Sequence, residues 1–496
     1  MEKPKVCLIN PGYNIQGLKA YRVPLGLAYV AGMIKSRGYT ISGYNFDVDP
    51  YNEFLSAIPS YDIFGIYAST AIFKFASKII QDIRKNNPNA KIIIGGPYAS
   101  SQPVEVLERL PEADIASFGD GEYTFADIVD TLAVQGDLGK VLGIAWRAGA
   151  IVGGIVKNNP RPRILDLDVL PFPAKEAFDH GHYNPRWFAY GAIIASRGCP
   201  FRCTICQPIL NNLSQYRVRK PKFVVDEMEH LHKNFGVNHF CFEDSELLIS
   251  KAWALNFSEE VIKRGLNGEV TFEGNARLHQ LDDEVLKKIA EAGCVKMNTG
   301  IESASQRVLD ILKKDINLEK DLPRFNKIKQ YGMDAHAWII IGVPGETWEE
   351  MMETIKMTVN LNATTIEVNM ATPWSGTELE TFGREQGWIS TPNLDDLNEK
   401  SFSYFKTPYL TPEQVQEGFN VFVKELKKHG WVKWSHDANT FRRKPTAKDV
   451  LIHAFRKLKR NDVRKADFGI LLDWFKVKTS EEPPAISWSP TKFATV

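Results

Sequence analysis

Short apolar runs rich in β-branched residues alternate with amphipathic stretches across residues 1–140. The runs have the pattern of buried strands, and the stretches between them carry apolar residues at helical spacing. Strands and helices that alternate in this way predict a doubly wound, Rossmann-like parallel sheet. The predicted strands are Val6–Asn10, Thr40–Phe46, Ile63–Ala68, Lys91–Ile94 and Asp114–Ser117, and the predicted helices are Leu25–Ser36, Ile72–Lys85 and Thr124–Ala133.

Residues 141–190 interrupt this alternation and are interpreted as a linker between two domains. Val141–Arg147 and Ile151–Val156 have the pattern of a small hairpin. Pro160–Pro173 is rich in proline, which lacks a backbone donor and disfavours helix. We therefore place the boundary between the first two domains in this region.

A second alternating series occupies residues 191–392. Six successive strand–helix units predict a parallel (β/α)6 barrel of the TIM type, partial or complete, rather than an open sheet. The chemistry of such a barrel lies at the carboxyl ends of its strands. The predicted strands are Ala192–Ser196, His239–Glu243, Val270–Gly274, Lys296–Gly300, His336–Ile341 and Thr365–Met370, and the predicted helices are Val224–Asn234, Trp253–Lys263, Asp283–Ala292, Ala304–Leu312, Leu318–Gln330 and Trp348–Leu361.

Helical periodicity dominates residues 393–496, where the strand pattern disappears. Helices are predicted at Glu413–Lys428 and Ala447–Arg460, so a mainly helical C-terminal domain is expected. Thr479–Val496 carries several proline and serine residues and is expected to form a tail on the surface. The chain as a whole is predicted to be an α/β protein.

The composition agrees with this division. A chain of 496 residues is too long for one ordinary core. Hydrophobic residues make up 44% and charged residues 24%, as in soluble globular proteins. The net charge of +1 gives no electrostatic reason to expect nucleic acid as a partner. The sequence has no signal-peptide pattern and no apolar run of membrane-spanning length, so a cytoplasmic location is expected.

Three of the six cysteines lie within eight residues, in the pattern C-x3-C-x2-C after the first predicted barrel strand. Cys199, Cys203 and Cys206 are suited to bind three irons of a [4Fe–4S] cubane and to leave the fourth iron open, because no fourth cysteine lies nearby. Zinc is one alternative, but it needs a further ligand, and the next candidate, His230, is remote. Inert thiols are the other alternative.

The remaining cysteines differ from this triplet in their surroundings. Each lies alone within an apolar run, and six cysteines in so long a chain are too few for a disulfide-stabilised secreted scaffold. We expect these three to be buried free thiols. They are Cys7, Cys241 and Cys294.

The triplet and the strand ends that follow it resemble the radical S-adenosylmethionine (SAM) superfamily. The resemblance extends to Phe242–Ser245, Arg277, Gly300–Ser303 and Ile340–Thr347, at the ends of successive predicted strands. It implies that the open iron binds the amino and carboxylate groups of SAM. It further implies that an electron from the cluster cleaves SAM to a 5′-deoxyadenosyl radical, which abstracts hydrogen. That chemistry belongs to the cofactors, which the protein binds and orients.

The same resemblance assigns roles to strand-end residues. Glu243 or Asp244 would accept hydrogen bonds from the SAM amino group, where the superfamily often has a glycine-rich turn that this sequence lacks. Arg277 would pair with the carboxylate as a planar fork, and Glu302 would bind the ribose. Each residue alone is also an ordinary helix cap or surface charge. The predicted SAM-binding residues are Glu243, Asp244, Arg277, Glu302, Ser303, Gly342 and Pro344.

The first domain resembles the cobalamin-binding domain that precedes the barrel in B12-dependent radical SAM enzymes. Pro24–Ala31, Gly95–Ala99 and Gly119–Thr124 carry this resemblance. Glycines at strand ends let a macrocycle approach the sheet edge, although tight turns also require glycine. The predicted cobalamin-binding residues are Ser69, Thr70, Gly95, Gly96, Gly119 and Glu122.

Residues 1–179 contain no histidine and no D-x-H-x-x-G motif. This domain therefore cannot supply an imidazole ligand to cobalt, and bound cobalamin is expected to be held without one. A domain of this type that binds no corrinoid stays as the alternative.

The resemblance implies a cobalamin-dependent methyltransferase acting on an unactivated carbon or on phosphorus of a small-molecule, lipid or natural-product substrate. One SAM would methylate the corrinoid, a second would provide the radical, and a flavodoxin or ferredoxin would donate the electron. A radical oxidoreductase, cyclase or rearrangement enzyme of the same architecture is the main alternative, and a non-catalytic corrinoid or cluster carrier is another.

A basic amphipathic segment at residues 442–465 is suited to contact an anionic membrane surface. A helix that packs on the barrel with a solvated charged face explains it equally. RNA binding lacks the interleaved aromatic residues that such a surface usually has.

Overall fold

The computed structural model describes residues 3–12, 22–69, 72–149, 154–183, 186–206, 216–374, 376–390, 403–433 and 439–443. The chain divides into two compact units, Met1–Arg442 and Arg443–Val496. The predicted helix Ala447–Arg460, the predicted tail and nearly all of the basic segment lie outside the described residues. Among the helices that the structure describes, none is long and apolar enough to cross a bilayer.

A seven-stranded sheet forms the N-terminal part of the first unit, in the order β2-β1-β3-β4-β5-β6-β7. Its first five strands are parallel, which confirms the doubly wound sheet. The predicted hairpin is not a separate linker element, because β6 pairs antiparallel with β5 and extends this sheet. The strands are β1 (Val6–Asn10), β2 (Ile41–Asn45), β3 (Ile63–Tyr67), β4 (Lys91–Gly95), β5 (Ile115–Ser117), β6 (Ile144–Arg147) and β7 (Ile155–Lys157).

Helices cover both faces of this sheet. Alternate side chains of β1 enter two cores, with Val6 and Leu8 on one face and Cys7 and Ile9 on the other. Three helices were predicted, and three short ones were not; these three begin at or just after a proline, whose fixed φ suits a first helical turn. The helices are α1 (Leu25–Ser36), α2 (Tyr51–Ala57), α3 (Phe73–Asn86), α4 (Pro97–Ser101), α5 (Pro103–Arg109) and α6 (Gly121–Ala133).

The barrel sheet has eight strands in the order β16-β17-β15-β14-β13-β12-β11-β8. Its six parallel strands are those predicted from sequence, which confirms the partial barrel. They are β8 (Ala192–Ile193), β11 (His239–Phe242), β12 (Thr271–Asn275), β13 (Cys294–Glu302), β14 (Asp334–Ile341) and β15 (Thr365–Met370).

The first barrel strand is shorter than predicted. It ends at Ile193, and β9 (Ser196–Arg197) pairs antiparallel with β10 (Arg217–Val218) in a separate two-stranded sheet. We call β9 and β10 together the ribbon. Because residues 198–216 connect its two strands, the ribbon closes the base of the segment that carries the cysteine triplet.

The helices of the barrel follow its strands closely in sequence. The predicted helix Leu318–Gln330 is divided in two at Asn326, which follows a helix that contains Pro323. The remaining helices are α7 (Arg186–Ala189), α8 (Pro221–Phe235), α9 (Lys251–Lys263), α10 (Asp283–Glu291), α11 (Gln306–Ile311), α12 (Leu318–Phe325), α13 (Lys327–Gln330), α14 (Trp348–Asn360), α15 (Glu378–Glu385) and α16 (Pro412–Lys428).

The expectation that strands end before residue 393 is wrong. After α16, which confirms the predicted helix Glu413–Lys428, the strands β16 (Trp431–Lys433) and β17 (Thr440–Arg443) join the barrel sheet. β17 pairs antiparallel with β15, and Phe441 lies opposite Ile366. The C-terminal region therefore covers an edge of the barrel that would otherwise expose unpaired backbone groups.

Gly191 is required where β8 meets β11, because an alanine Cβ there would lie 2.4 Å from the carbonyl oxygen of His239. Gly191→Ala is therefore expected to lower the free energy of unfolding by about 1–3 kcal/mol, the range for overpacked sites. Gly268→Ala is the control, since no described atom lies within 4 Å of its Cβ position. Thermal unfolding followed by circular dichroism measures both, and equal midpoints for the two variants would contradict this account.

Candidate functional site

A cavity of about 150 Å³ lies where the cysteine segment meets the carboxyl ends of β11 to β14. We call it the cluster cavity. Its lining combines the three thiols with charged and polar side chains from four strand ends. The lining includes Cys199, Cys203, Cys206, Ser245, Glu246, Asn275, Arg277, Asn298, Glu302, Lys314 and Trp338.

The three cysteines of the triplet are not joined in disulfides and share this cavity, with Cys203 buried and the other two partly exposed. The hydrogen bond from Cys206, helped by the nearby cations Lys314 and Arg277, lowers the pKa of Cys203 below its ordinary value. Thiolate is the form that binds iron. In the part of the chain that the structure describes, no three His, Cys, Asp or Glu side chains are arranged around a single metal ion. A cubane places its thiolates on separate irons, so three thiols on one cavity wall fit it.

Arg277 presents an unused guanidinium edge to the cavity. Its Nη1 lies 3.6 Å from the Sγ of Cys203, and its guanidinium carbon lies 3.7 Å from the ring centroid of Phe201. Nε and Nη2 are buried and have no hydrogen-bond partner among the described residues. Two donors in one plane match the two oxygens of a carboxylate, which agrees with the predicted contact to SAM.

Glu302 also reaches the cavity, and its backbone is strained. Its φ of 68° lies in the left-handed region, which a residue with a side chain adopts at a cost. One carboxylate oxygen accepts from Lys314 Nζ at 2.7 Å, and the other has no partner among the described residues. Burial opposes the charge on Lys314, but the ion pair with Glu302 outweighs it and raises the pKa of Lys314. The free oxygen is suited to accept from a hydroxyl group.

Asp244 and Glu243, the residues predicted to bind the SAM amino group, do not line the cluster cavity. Asp244 is buried and accepts from the amide of Ala195 at 2.9 Å and from the hydroxyl of Ser196 at 2.5 Å. Burial raises its pKa to about 7. Glu243 instead pairs with Arg22 at 3.0 Å. Asp244 therefore holds the backbone just before the cysteine segment.

Glu246 lies two residues beyond Asp244 in the same strand-end segment. It lines the cluster cavity, and one of its oxygens is buried without a partner among the described residues. Burial raises the pKa of this carboxyl to about 7. The prediction missed Glu246 because the chain continues past the end of β11 before it turns into the cavity. The sequence feature that could have indicated Glu246 is its place as the third acidic residue of Glu243–Glu246, nearest the next helix.

Three further predictions lie elsewhere. Ser303 is fully buried and shares a hydrogen bond of 3.1 Å with Thr354. Gly342 has a φ of 72°, and a Cβ there would lie 2.7 Å from Val415, so packing against α16 explains this glycine. Neither it nor Pro344 belongs to the lining of the cluster cavity in the described part of the chain.

An aromatic side chain, that of Trp338, also lines the cluster cavity. His336 packs edge-on against Trp338, with ring centroids 5.1 Å apart, and burial lowers its pKa to about 3. Both side chains lie on β14, two residues apart and therefore on the same face. The barrel wall beside the cluster cavity is thus aromatic and carries an uncharged imidazole.

A larger cavity of about 710 Å³ lies along the carboxyl edge of the N-terminal sheet, and the start of the barrel forms its other wall. We call it the edge cavity. Strand ends of both sheets supply its lining. The lining residues used below are Arg22, Tyr67, Gly95, Gly96, Gly119, Asp120, Glu122, Arg197, Arg217, Glu243 and Ser245.

Four of the predicted cobalamin-binding residues, Gly95, Gly96, Gly119 and Glu122, line the edge cavity. Gly119 has a φ of 86° and no described atom within 4 Å of its Cβ position, so its lack of a side chain leaves the space open. The hydroxyl of Ser69 is buried without a partner among the described residues, although Ser69 is outside the cavity lining as described. The predicted residue at position 70 lies outside the described residues.

These features fit a corrinoid, which needs an open sheet edge and polar groups for its amide side chains. No histidine is present among the described lining residues of the edge cavity. Ser245 lines both cavities, so the edge cavity and the cluster cavity adjoin.

Comparisons with known proteins agree with both cavities. Residues 193–358 match the radical SAM superfamily, and residues 18–129 match the B12 binding domain. An uncharacterized methyltransferase of Pyrococcus horikoshii is 30% identical over 399 residues, 79% of this chain and 85% of the relative. An anaerobic magnesium-protoporphyrin IX monomethyl ester cyclase of Rubrivivax gelatinosus is 29% identical over 429 residues, 84% of this chain and 75% of the relative.

A solved structure has the same fold. The radical SAM methyltransferase TsrM from Kitasatospora setae, with cobalamin and a [4Fe–4S] cluster bound, matches with a TM-score of 0.67 at 17% identity, over 86% of this chain and 89% of TsrM. The chain belongs to the radical SAM superfamily, in the branch that carries a B12-binding domain. Its cofactors are a [4Fe–4S] cluster, SAM and cobalamin, which confirms the set predicted from sequence.

Cys199→Ala is expected to abolish cluster assembly and SAM cleavage, because two thiolates cannot hold a cluster that needs three. Cys294→Ala is the matched control, since this buried thiol lies at the start of β13 outside the described lining of the cluster cavity. Iron content and 5′-deoxyadenosine formation under dithionite measure both variants. Retained 5′-deoxyadenosine production in Cys199→Ala would overturn the cluster assignment.

Proposed function

We propose that this protein is a cobalamin-dependent radical SAM methyltransferase that transfers a methyl group to an unactivated carbon, or to phosphorus, of a small molecule. The adjoining cavities carry this proposal, because Ser245 lines both the cluster cavity and the edge cavity. A methyl donor at the sheet edge and a radical source at the barrel mouth must reach one substrate atom. Proximity of this kind converts separate encounters into one positioned reaction.

The cluster cavity is suited to bind SAM in one orientation. Arg277 offers two donors to the carboxylate, the buried Glu302 oxygen without a partner among the described residues offers an acceptor to a ribose hydroxyl, and Glu246 offers an acceptor to the amino group. Lys314 holds the Glu302 side chain in place through its 2.7 Å contact. The bound cluster and SAM supply the 5′-deoxyadenosyl radical, and the residues determine where it forms.

The edge cavity is suited to hold a flat corrinoid against the glycines of the sheet edge. At its rim, Arg22 extends from the N-terminal part of the chain and pairs with Glu243 of the barrel at 3.0 Å. Both side chains belong to the lining of the edge cavity. Their charges are therefore placed to limit how far a polar substrate enters.

A radical enzyme of the same architecture without methyl transfer is the second candidate. The 29% identity with the magnesium-protoporphyrin ester cyclase over most of the chain favours it specifically. Both candidates use the same cluster and SAM contacts, so they differ only in whether the corrinoid transfers carbon to the product.

Two further partners belong to the proposal. A flavodoxin- or ferredoxin-type protein would deliver the single electron that the cluster passes to SAM. Membrane contact by residues 442–465 stays a prediction, because almost all of that segment lies outside the described residues; Arg442 itself pairs with Thr365 in the barrel sheet.

Deuterated methyl groups separate the two candidates. We expect holoenzyme supplied with reductant and S-(trideuteromethyl) SAM to label small molecules in an extract of the source cells. Labelling should be accompanied by S-adenosylhomocysteine and 5′-deoxyadenosine in equal amounts, because one SAM donates the methyl group and another provides the radical. Mass spectrometry measures the label. Substrate consumption with 5′-deoxyadenosine but no deuterium in any product would favour the non-methylating candidate.

Arg277→Lys is expected to weaken SAM binding roughly ten- to a hundredfold, since a charge-assisted hydrogen bond contributes about 1.5–3 kcal/mol and lysine lacks the planar fork. Equilibrium dialysis with reconstituted protein measures the dissociation constant. Arg264→Lys, in a surface ion-pair network with Asp226 and Glu260, is the control and should bind as wild type. Unchanged affinity in Arg277→Lys with full cluster content would contradict the assigned contact.

A further inference from the structure

The edge of the N-terminal sheet is joined to the cysteine segment by two buried ion pairs. Asp120 and Glu122 lie at the start of α6, directly after the cavity-lining Gly119. Their partners are Arg217 and Arg197, one on each strand of the ribbon. A single acidic turn therefore contacts both ends of the segment that carries the cluster ligands.

The Asp120–Arg217 pair is well formed. Oδ2 of Asp120 accepts from Nη1 of Arg217 at 2.6 Å, and both side chains are less than one-tenth exposed. Arg217 also donates to the carbonyl of Ile164 at 2.8 Å, and Asp120 accepts from the backbone amide of Ile164 at 3.1 Å. The N-terminal part of the chain and the second strand of the ribbon thus share one small network.

In the Glu122–Arg197 pair the carboxylate is buried, with Glu122 4% exposed, and the guanidinium is mostly buried, with Arg197 18% exposed. The guanidinium of Arg197 lies 5.0 Å from the ring centroid of Tyr29, which belongs to α1. Arg219, one residue past the ribbon, donates to the Tyr29 hydroxyl at 3.3 Å and to Glu227 at 2.6 Å. Two helices of the N-terminal part therefore fix the arginines on this side of the barrel.

Because these ion pairs are largely buried, they favour one arrangement of the two segments more than they stabilise the fold. Desolvation of two charges offsets most of their attraction, so a buried ion pair contributes little net stability but strongly disfavours arrangements that separate it. Arg197 lies two residues before Cys199, and its neighbour Ser196 donates to the buried Asp244. Movement of the acidic turn would therefore shift the base of the cysteine segment.

We propose that Asp120 and Glu122 are positioning residues. Through their ion pairs with Arg217 and Arg197 they hold the cysteine segment at a fixed place relative to the edge cavity. Glu122 was predicted from sequence to bind cobalamin; its pairing with Arg197 gives it this second role. The inference depends on the two cofactors and not on the transfer of a methyl group.

The distance between the two cofactors tests this proposal without a substrate. Holoenzyme is reduced until the cluster is paramagnetic while the corrinoid is Co(II), and the magnetic interaction between the two spins is recorded by electron paramagnetic resonance. The double variant Asp120→Asn with Glu122→Gln removes both charges at nearly constant shape, and the amide groups that replace the carboxylates can still hydrogen-bond to a corrinoid. We expect it to retain cluster and corrinoid but to lose the wild-type splitting, because the segment is no longer fixed to the edge.

Asp130→Asn is the matched control, since this α6 carboxylate pairs with Arg37 within the N-terminal part and does not contact the ribbon. It should keep the wild-type splitting. If the double variant fails to fold, Arg197→Lys provides the test, because it keeps the charge but shortens the contact and should broaden the splitting.

A wild-type splitting in a folded variant that holds both cofactors would overturn the proposal. A protein that binds both cofactors but transfers no methyl group would give the same spectra, so failure of the proposed reaction is distinguishable from failure of this inference.

Discussion

The parallel strands of both sheets end toward one shared space, and this constraint determines where the chemistry can occur. Carboxyl ends of β1, β3, β4 and β5 open onto the edge cavity, which the barrel start closes from the other side. Ser245, just beyond β11, belongs to this wall and to the cluster cavity. In parallel sheets the loops that bind ligands follow the carboxyl ends. Two ligand sites that would be remote in separate domains are therefore adjacent here.

Charged side chains that line the two cavities form ion pairs with one another. Lys314 pairs with one carboxylate oxygen of Glu302, and Arg22 pairs with Glu243. At the start of α6, Glu122 and Asp120 pair with Arg197 and Arg217. At the cluster cavity, Arg277, Glu246 and Glu302 each have buried side-chain atoms without a partner among the described residues. A buried polar group without a partner is costly, so these atoms are the natural contacts for a polar ligand such as SAM.

The sequence predicted the main elements because β-branched runs and helical periodicity record burial directly; β1 and β15 match their predicted bounds. The three cysteines singled out by their spacing line one cavity together with Arg277 and Glu302, whose contacts to SAM stay a prediction. Asp244, which was predicted to bind SAM, does not line the cluster cavity. A local pattern cannot tell whether a strand-end carboxylate turns to the cavity or to the backbone beside it. Glu246 and Lys314 were missed because tertiary packing beyond the strand ends brings them in. β16 and β17 were missed because such short strands carry too few alternating positions.

The central claim is that one chain holds a corrinoid and a three-cysteine cluster at adjoining sites. The most direct test is anaerobic reconstitution with iron, sulfide and hydroxocobalamin, followed by desalting and measurement of corrinoid content and the absorption spectrum. The account predicts nearly stoichiometric corrinoid together with a [4Fe–4S] spectrum. A full cluster with no retained corrinoid would contradict it, because the edge cavity would then serve as scaffold or substrate site.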